Sequence, residues 1–452
     1  MWQKIKDDRK TLLVFLFFLG FVIRCIFIAI YPGTNYYDGS SLRYLRIAEN
    51  MMSGRGMSIY VDTSRISSPL RQFVYQPFID KPAGYPVFLT GIISVFGYSL
   101  VVIQIIQGLF MAWIGPLFFL IGERLTKNFK YSLICGIGGA VWLNSARFDI
   151  VILPEPLVAL PIAIALYLMA SKYPSSKSRW IGGLLAGLSI GIGTLLRPDV
   201  VLLPIFLFGG MAILYGFKYA GQFIIPFGLA MAAVISLQAL FNYNNSGGKL
   251  IPLGYSNGIA AFEGISQFGD TLGTVYSDDR LKILEDQSDL YYPRGPERDA
   301  ERTKKAVAII KERPVWFLTT VIKRIPLLLT PRGLFIIEDS RPTMKTSDDF
   351  TQKFPGSLLR EFRESPLTAI VKIMSSLLGL GLMFLALIGC WKWRNSYKIW
   401  LLPFAVVLYF VFSHLPVNVE PRYFYPAVPF IIPLAGTFFI KKGSMTYSQG
   451  PS

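Results

Sequence analysis

The feature that most limits the fold of this chain is its series of apolar runs, several near or above the roughly 20 residues that cross a bilayer. The first covers residues 11–31, and others cover 100–121, 181–196, 200–215, 223–240 and 366–390. Of 452 residues, 52% are hydrophobic and 16% charged, against roughly 25% charged in a soluble domain. A soluble protein could not bury that much apolar surface, so the solvent is lipid. The expectation is an all-α polytopic membrane protein with about ten transmembrane helices.

Charge sets the orientation. The net charge is +17, and the basic residues stand between spans rather than in one block. Lys4, Lys6, Arg9 and Lys10 precede the first run; Arg124, Lys127, Lys130, Lys172, Lys177, Arg179, Lys392, Arg394 and Lys398 follow later ones. That is the bias of cytoplasmic loops, so no nucleic-acid partner is expected. The first run is too long for a signal-peptide core and no small-residue cleavage site follows, so it reads as an anchor. Both termini then lie inside and residue 32 opens an extracytoplasmic loop.

The chain reads as a single polytopic domain, 1–452. It includes a first extracytoplasmic loop at 32–98 and a long one at 241–313, which ends in a charged helix over 297–312. Helical spacing of apolar residues over 41–52 predicts an amphipathic helix in the first loop. The apolar stretch 84–97 is short for a span and suits an interfacial or re-entrant helix. The stretch 314–330 contains Lys323 and Arg324; it either spans or lies along the interface.

Chemistry gathers on the outer side. Asp38, Asp80, Asp149, Glu155 and Asp199 fall in outer loops, as do Arg43, Lys81, Arg147, Arg197 and Arg422. Acids at a membrane face are costly and tend to be functional. A carboxylate against a hydroxyl can act as general base. Fixed cations can hold a phosphate and stabilise its charge as it departs. Apolar walls can take a lipid tail. Together these suit transfer of a group from a phospholipid-like donor to an acceptor hydroxyl. Each residue also has a plainer reading. Asp38-Gly39 is a common turn pair, Lys81 can snorkel, and Glu155 between prolines can start a helix. Arg197 and Asp199 can form a surface ion pair, and Arg422 can pack in a short loop. The three cysteines, Cys25, Cys135 and Cys390, are too scattered for a disulfide framework. With one histidine, His414, a His-based metal site or catalytic triad is not expected. No phosphate-cradling glycine loop of the nucleotide type is present.

Several of these motifs resemble, in order, those of GT-C glycosyltransferases that use polyprenyl-phosphate sugars. The bacterial relatives of protein O-mannosyltransferases and the lipid A aminoarabinose transferase are the most alike. Tyr37-Asp38, Tyr44, Ile47-Ala48 and Gly54-Arg55-Gly56 are similar to that family's first outer loop. Asp80-Lys81-Pro82-Ala83-Gly84-Tyr85 is similar to the acid-Lys-Pro motif that closes it. Leu153-Pro154-Glu155-Pro156-Leu157, Leu196-Arg197-Pro198 and Pro421-Arg422-Tyr423 are similar to later family motifs. Where many members carry a second acid after the first-loop Asp, this chain has Gly39, a departure that speaks against a paired-acid, metal-dependent mechanism and leaves Asp38 alone as base.

The resemblance implies a GT-C fold and an inverting hexosyl or pentosyl transferase in the cell (inner) membrane, with its active site extracytoplasmic. Asp38 is the expected base. Lys81, Glu155, Arg197, Arg422 and Tyr423 are expected to bind the donor phosphate or sugar, with Asp80, Arg43, Tyr44 and Asp149 as secondary candidates. The donor is a polyprenyl-phosphate sugar, and the acceptor a glycan, lipid or protein. No metal and no other cofactor is expected. The alternative from another class is a flippase or transporter of an anionic lipid-linked substrate.

Overall fold

The computed structural model describes residues 8–30, 32–33, 40–62, 73–268, 295–329 and 366–441. Asp38 therefore lies outside the described residues. Helix α1 (Arg9–Ile30) is the first expected span, started by Asp8, whose carboxylate accepts from the Thr11 N–H at 3.0 Å. Helix α2 (Ser40–Met52) buries Ser41, Tyr44, Leu45, Ile47 and Ala48, the single stripe that its apolar spacing predicts. It packs on α3 (Gly84–Phe96).

Between α2 and α3 lies an element that the all-α reading did not include, an antiparallel hairpin. Strands β1 (Ser58–Asp62) and β2 (Phe73–Pro77) pair with Tyr60 opposite Tyr75. Their aromatic and β-branched residues suit a pleated surface.

The expected span over 100–121 forms as two helices, α4 (Leu100–Met111) and α5 (Ile114–Thr126), within one apolar stretch. Lys127 takes the left-handed conformation, φ 53°, and ends α5. Asn128 then caps α6 (Phe129–Val141) through the Tyr131 N–H, so α5 and α6 pack as a tight pair. Short α7 (Leu143–Phe148) leads to α8 (Pro154–Met169), which begins with proline and places Glu155 in its first turn. An acid is favoured there by the helix dipole. Helix α9 (Ser176–Leu196) starts at a Ser175/Ser178 capping box and ends at Arg197.

A 3-10 turn, Pro198–Leu202, joins α9 to α10 (Leu203–Tyr215) and α11 (Phe217–Asn245). Then come α12 (Asn257–Ile265), α13 (Gly295–Glu312), α14 (Pro314–Leu329), α15 (Pro366–Lys392) and α16 (Leu401–His414). The 3-10 segment Pro421–Ala427 leads into α17 (Val428–Gly436). Five described stretches are long and apolar enough to cross a membrane: Arg9–Ile30, Leu100–Thr126, Ser176–Leu196, Pro198–Tyr215 and Phe217–Asn245. Four shorter apolar helices stand beside them. One continuous apolar core links α2 to α17. The charged residues collect where the end of α9 and the starts of α2, α3 and α8 approach the end of α16.

Candidate active site

The Asp80-Lys81 turn is pinned from both sides. Phe78 and Ile79 before it are buried, and the Asp80 carbonyl accepts the Tyr255 N–H at 3.2 Å. A Cβ on Gly254 would collide with that carbonyl, so position 254 must stay glycine. The Asp80 carboxylate is buried and lies 3.9 Å from Arg43 Nη1 on α2. One helical position further on α2, the Tyr44 ring packs edge-on against Tyr85, 5.2 Å between centroids. The Lys81 ammonium lies 6.0 Å from the centre of the Tyr44 ring.

Burial lowers the Lys81 ammonium below the ordinary lysine value. Arg43 and Arg422 push the same way, while Asp80 and Glu155 oppose them. Among the described residues no carboxylate forms an ion pair with Lys81. Burial, then the charges of Glu155 and Asp80, raise the Tyr44 hydroxyl above its ordinary value, so it stays a proton donor.

Arg197 is the second anchor. It caps α9 through its N–H on the Gly193 carbonyl, and Pro198 stops the helix there. Its guanidinium forks onto Asp199, with Nε to Oδ1 at 3.0 Å and Nη2 to Oδ2 at 2.8 Å. Its Nη1 lies 3.4 Å from Glu155 Oε1. Asp199 also holds His414, Nε2 to Oδ2 at 3.0 Å, and the Tyr409 hydroxyl donates to the Asp199 carbonyl. The Tyr423 ring sits under two guanidiniums, 5.4 Å from Arg197 and 5.3 Å from Arg422. Arg422 pairs through Nε with Glu420 at 2.5 Å and reaches Ser40 Oγ at 3.4 Å. Ser40 stands two positions after Asp38 in the chain.

The structure brings Arg43, Tyr44, Asp80, Lys81, Glu155, Arg197, Arg422 and Tyr423 within electrostatic reach of one another. Asp149 does not join them. It is fully buried and its carboxylate binds Arg24 of α1 and the Tyr425 hydroxyl, the latter at 3.0 Å. This corrects its place among the donor-site candidates: its charge is already neutralised by a cation inside the first span. Sequence reasoning missed Arg24, whose signal was a lone arginine in an apolar run. It also missed Glu263, which accepts from Asn418 at 2.8 Å and bears electrostatically on Tyr423. His414 was weighed only as a metal ligand or a member of a catalytic triad. Among the described residues no group of three or more His, Cys, Asp or Glu is placed to hold a metal ion.

The sequence matches no protein-family model and no curated protein. Among solved structures it is similar to the apo oligosaccharyltransferase of Archaeoglobus fulgidus, with a TM-score of 0.50 and 13% identity over 94% of this chain. The chain has the GT-C fold. It spans 50% of the oligosaccharyltransferase's length. It also aligns with ArnT from Cupriavidus metallidurans, bound to undecaprenyl phosphate and in the apo state, at TM-scores of 0.42 and 0.43. Each ArnT structure is 10% identical over 95% of this chain and 76% of that one. Within the GT-C fold of this chain, the charged cluster occupies the junction of helix ends, with apolar helices on its flanks.

Proposed function

We propose that the chain is an integral membrane glycosyltransferase that moves a sugar from a polyprenyl-phosphate donor to an acceptor hydroxyl. The observation that carries this is Lys81. It is a half-buried ammonium with no ion-paired carboxylate among the described residues, beside arginines that carboxylates already hold. Partial desolvation of a cation is costly, and an anionic ligand offsets that cost. A phosphate seated there meets Lys81, with Arg197 and Arg422 flanking it over the Tyr423 ring. Apolar helices beside the cluster offer a wall for the polyprenyl tail.

In the reaction, the acceptor oxygen forms a bond to the anomeric carbon as the bond from that carbon to the phosphate oxygen breaks. Asp38 takes the proton of the acceptor hydroxyl, and the polyprenyl phosphate leaves on Lys81 and the two arginines. Attack opposite the leaving group inverts the anomeric centre. Glu155 orients Arg197, and the loop at 241–313 covers the site and selects a glycan, lipid or protein acceptor. The site faces the extracytoplasmic side of the cell membrane, and the residues need no metal for these steps. A photoreactive polyprenyl phosphate tests the location. Crosslinks mapped by mass spectrometry to peptides holding Tyr44, Lys81 or Tyr423 support the assignment; crosslinks confined to other faces of the bundle reject it.

A further inference from the structure

His414 has no task in the transfer step, yet its contacts run straight into the arginines that flank the phosphate. It is the chain's one histidine and is buried. Its Nε2 meets Asp199 Oδ2 at 3.0 Å, on the carboxylate that Arg197 also grips with two hydrogen bonds. Its Nδ1 lies 3.0 Å from both the Phe410 carbonyl and Ser413 Oγ. The ring stacks on Phe410, 8° between planes, and on Tyr423, 28° between planes and 5.5 Å between centroids. Tyr423 is the ring under Arg197 and Arg422. The imidazole therefore touches both supports of the cationic pair.

We propose that His414 is a positioning residue. Through Asp199 it fixes the Arg197 guanidinium, and through Tyr423 it fixes the ring that Arg197 and Arg422 share, in the orientation that meets an anion. This rests on the reading of the pocket as a phosphate site.

The chemistry is specific in direction. A carboxylate only accepts hydrogen bonds, so Asp199 requires a proton on Nε2. With His414 donating from one side and Arg197 from another, neither oxygen of Asp199 is left to swing the guanidinium away. Without the Nε2 donor, Asp199 relaxes wholly onto Arg197 and draws it from Glu155 and from the ligand. Among the described residues, charged or titratable groups on the elements packed nearby include Tyr409 on its own helix, Glu420 and Arg422 on the following segment, and Arg324 of α14. Arg324 holds the neighbouring Leu415 carbonyl at 2.7 Å.

A chain with a single histidine makes the test clean. Protein carrying 15N-histidine in nanodiscs gives one imidazole pair of NMR signals, which is followed while undecaprenyl phosphate is titrated in. The expected result is a ligand-dependent shift of that pair. Affinity should fall roughly tenfold in His414→Phe, which keeps the stacked ring and loses the donor, the size expected for a hydrogen bond to a charged group. His414→Gln, whose amide N–H can replace Nε2–H, should recover most of it. A silent signal together with His414→Phe binding as tightly as wild type overturns the proposal. If wild type binds no undecaprenyl phosphate, the phosphate reading fails. The ligand-free spectra then decide the pairing alone: Asp199→Asn moves the histidine signal if the carboxylate holds the ring, and an unmoved signal overturns it.

Discussion

Replacing Lys81 with methionine separates the cost of its ammonium from its use. The variant keeps the apolar stem of the side chain and deletes the charge. Burial and the neighbouring Arg43 hold the folded-state value of Lys81 below the ordinary 10.5. Between that lowered value and 10.5 the unfolded chain binds more protons than the folded one. Wild-type stability therefore rises with pH through this window, and below the window the full cost of the charge persists. Ligand-free Lys81→Met should unfold at a temperature equal to or above wild type at neutral pH, and its stability should lose that alkaline rise.

Binding should move the other way. A phosphate charge about 4 Å from the ammonium gains about 4 kcal/mol at an effective dielectric constant near 20. Desolvation reduces this to the roughly 1.5–3 kcal/mol of a hydrogen bond to a charged group, or about 10- to 150-fold in Kd. Wild-type affinity should also weaken with rising pH before an ordinary lysine would titrate, while Lys81→Met shows no such limb. The assays are thermal unfolding in detergent and titration with undecaprenyl phosphate. A variant that unfolds earlier than wild type yet binds equally well would refute the reasoning.

Two further substitutions test the scaffold. Arg24→Met and Asp149→Leu each break a buried ion pair whose partners are both 1% exposed, and each should cost roughly 3–5 kcal/mol. An Arg24→Met/Asp149→Leu double variant should recover much of that loss, measured as non-additive unfolding energies, and strictly additive losses would count against a coupled pair. Gly254→Ala forces its Cβ into the Asp80 carbonyl, so it should displace the Asp80-Lys81 turn and weaken undecaprenyl phosphate binding. Gly209→Ala, where a Cβ meets nothing within 4 Å, is the control that should bind as wild type.

The parts of the site legible in the sequence were those where charge interrupts an apolar pattern. Glu155, Arg197 and Arg422 stand in short connections between lipid-compatible runs, and Lys81 stands just before the apolar stretch 84–97, where solvation marks them. Helix α2 was legible because its buried residues keep helical spacing. The Arg24–Asp149 pair was not, because its members are 125 positions apart and pairing at that distance leaves no local pattern. The end of α11 was misplaced because Asn242, past the apolar run that ends at 240, read as a loop residue beside Gln238. In the helix they satisfy each other at 2.9 Å, while Gln238 also accepts the Ala83 N–H and Asn242 donates to the Ile251 carbonyl. Polar side chains with such partners continue a helix that composition alone would stop. The hairpin was missed for a related reason: its two strands are five residues each, too short to stand out beside the helical runs.

The most direct measurement of the central claim is transfer itself. Purified wild type and Asp38→Asn are placed in vesicles with a radiolabelled polyprenyl-phosphate sugar and extracted envelope material as acceptor. The account predicts that label leaves the lipid for a new product with wild type and stays on the lipid with Asp38→Asn. Label that never leaves the lipid with wild type, while the labelled lipid crosses the bilayer, would contradict it and make the chain a carrier of the same anionic substrate.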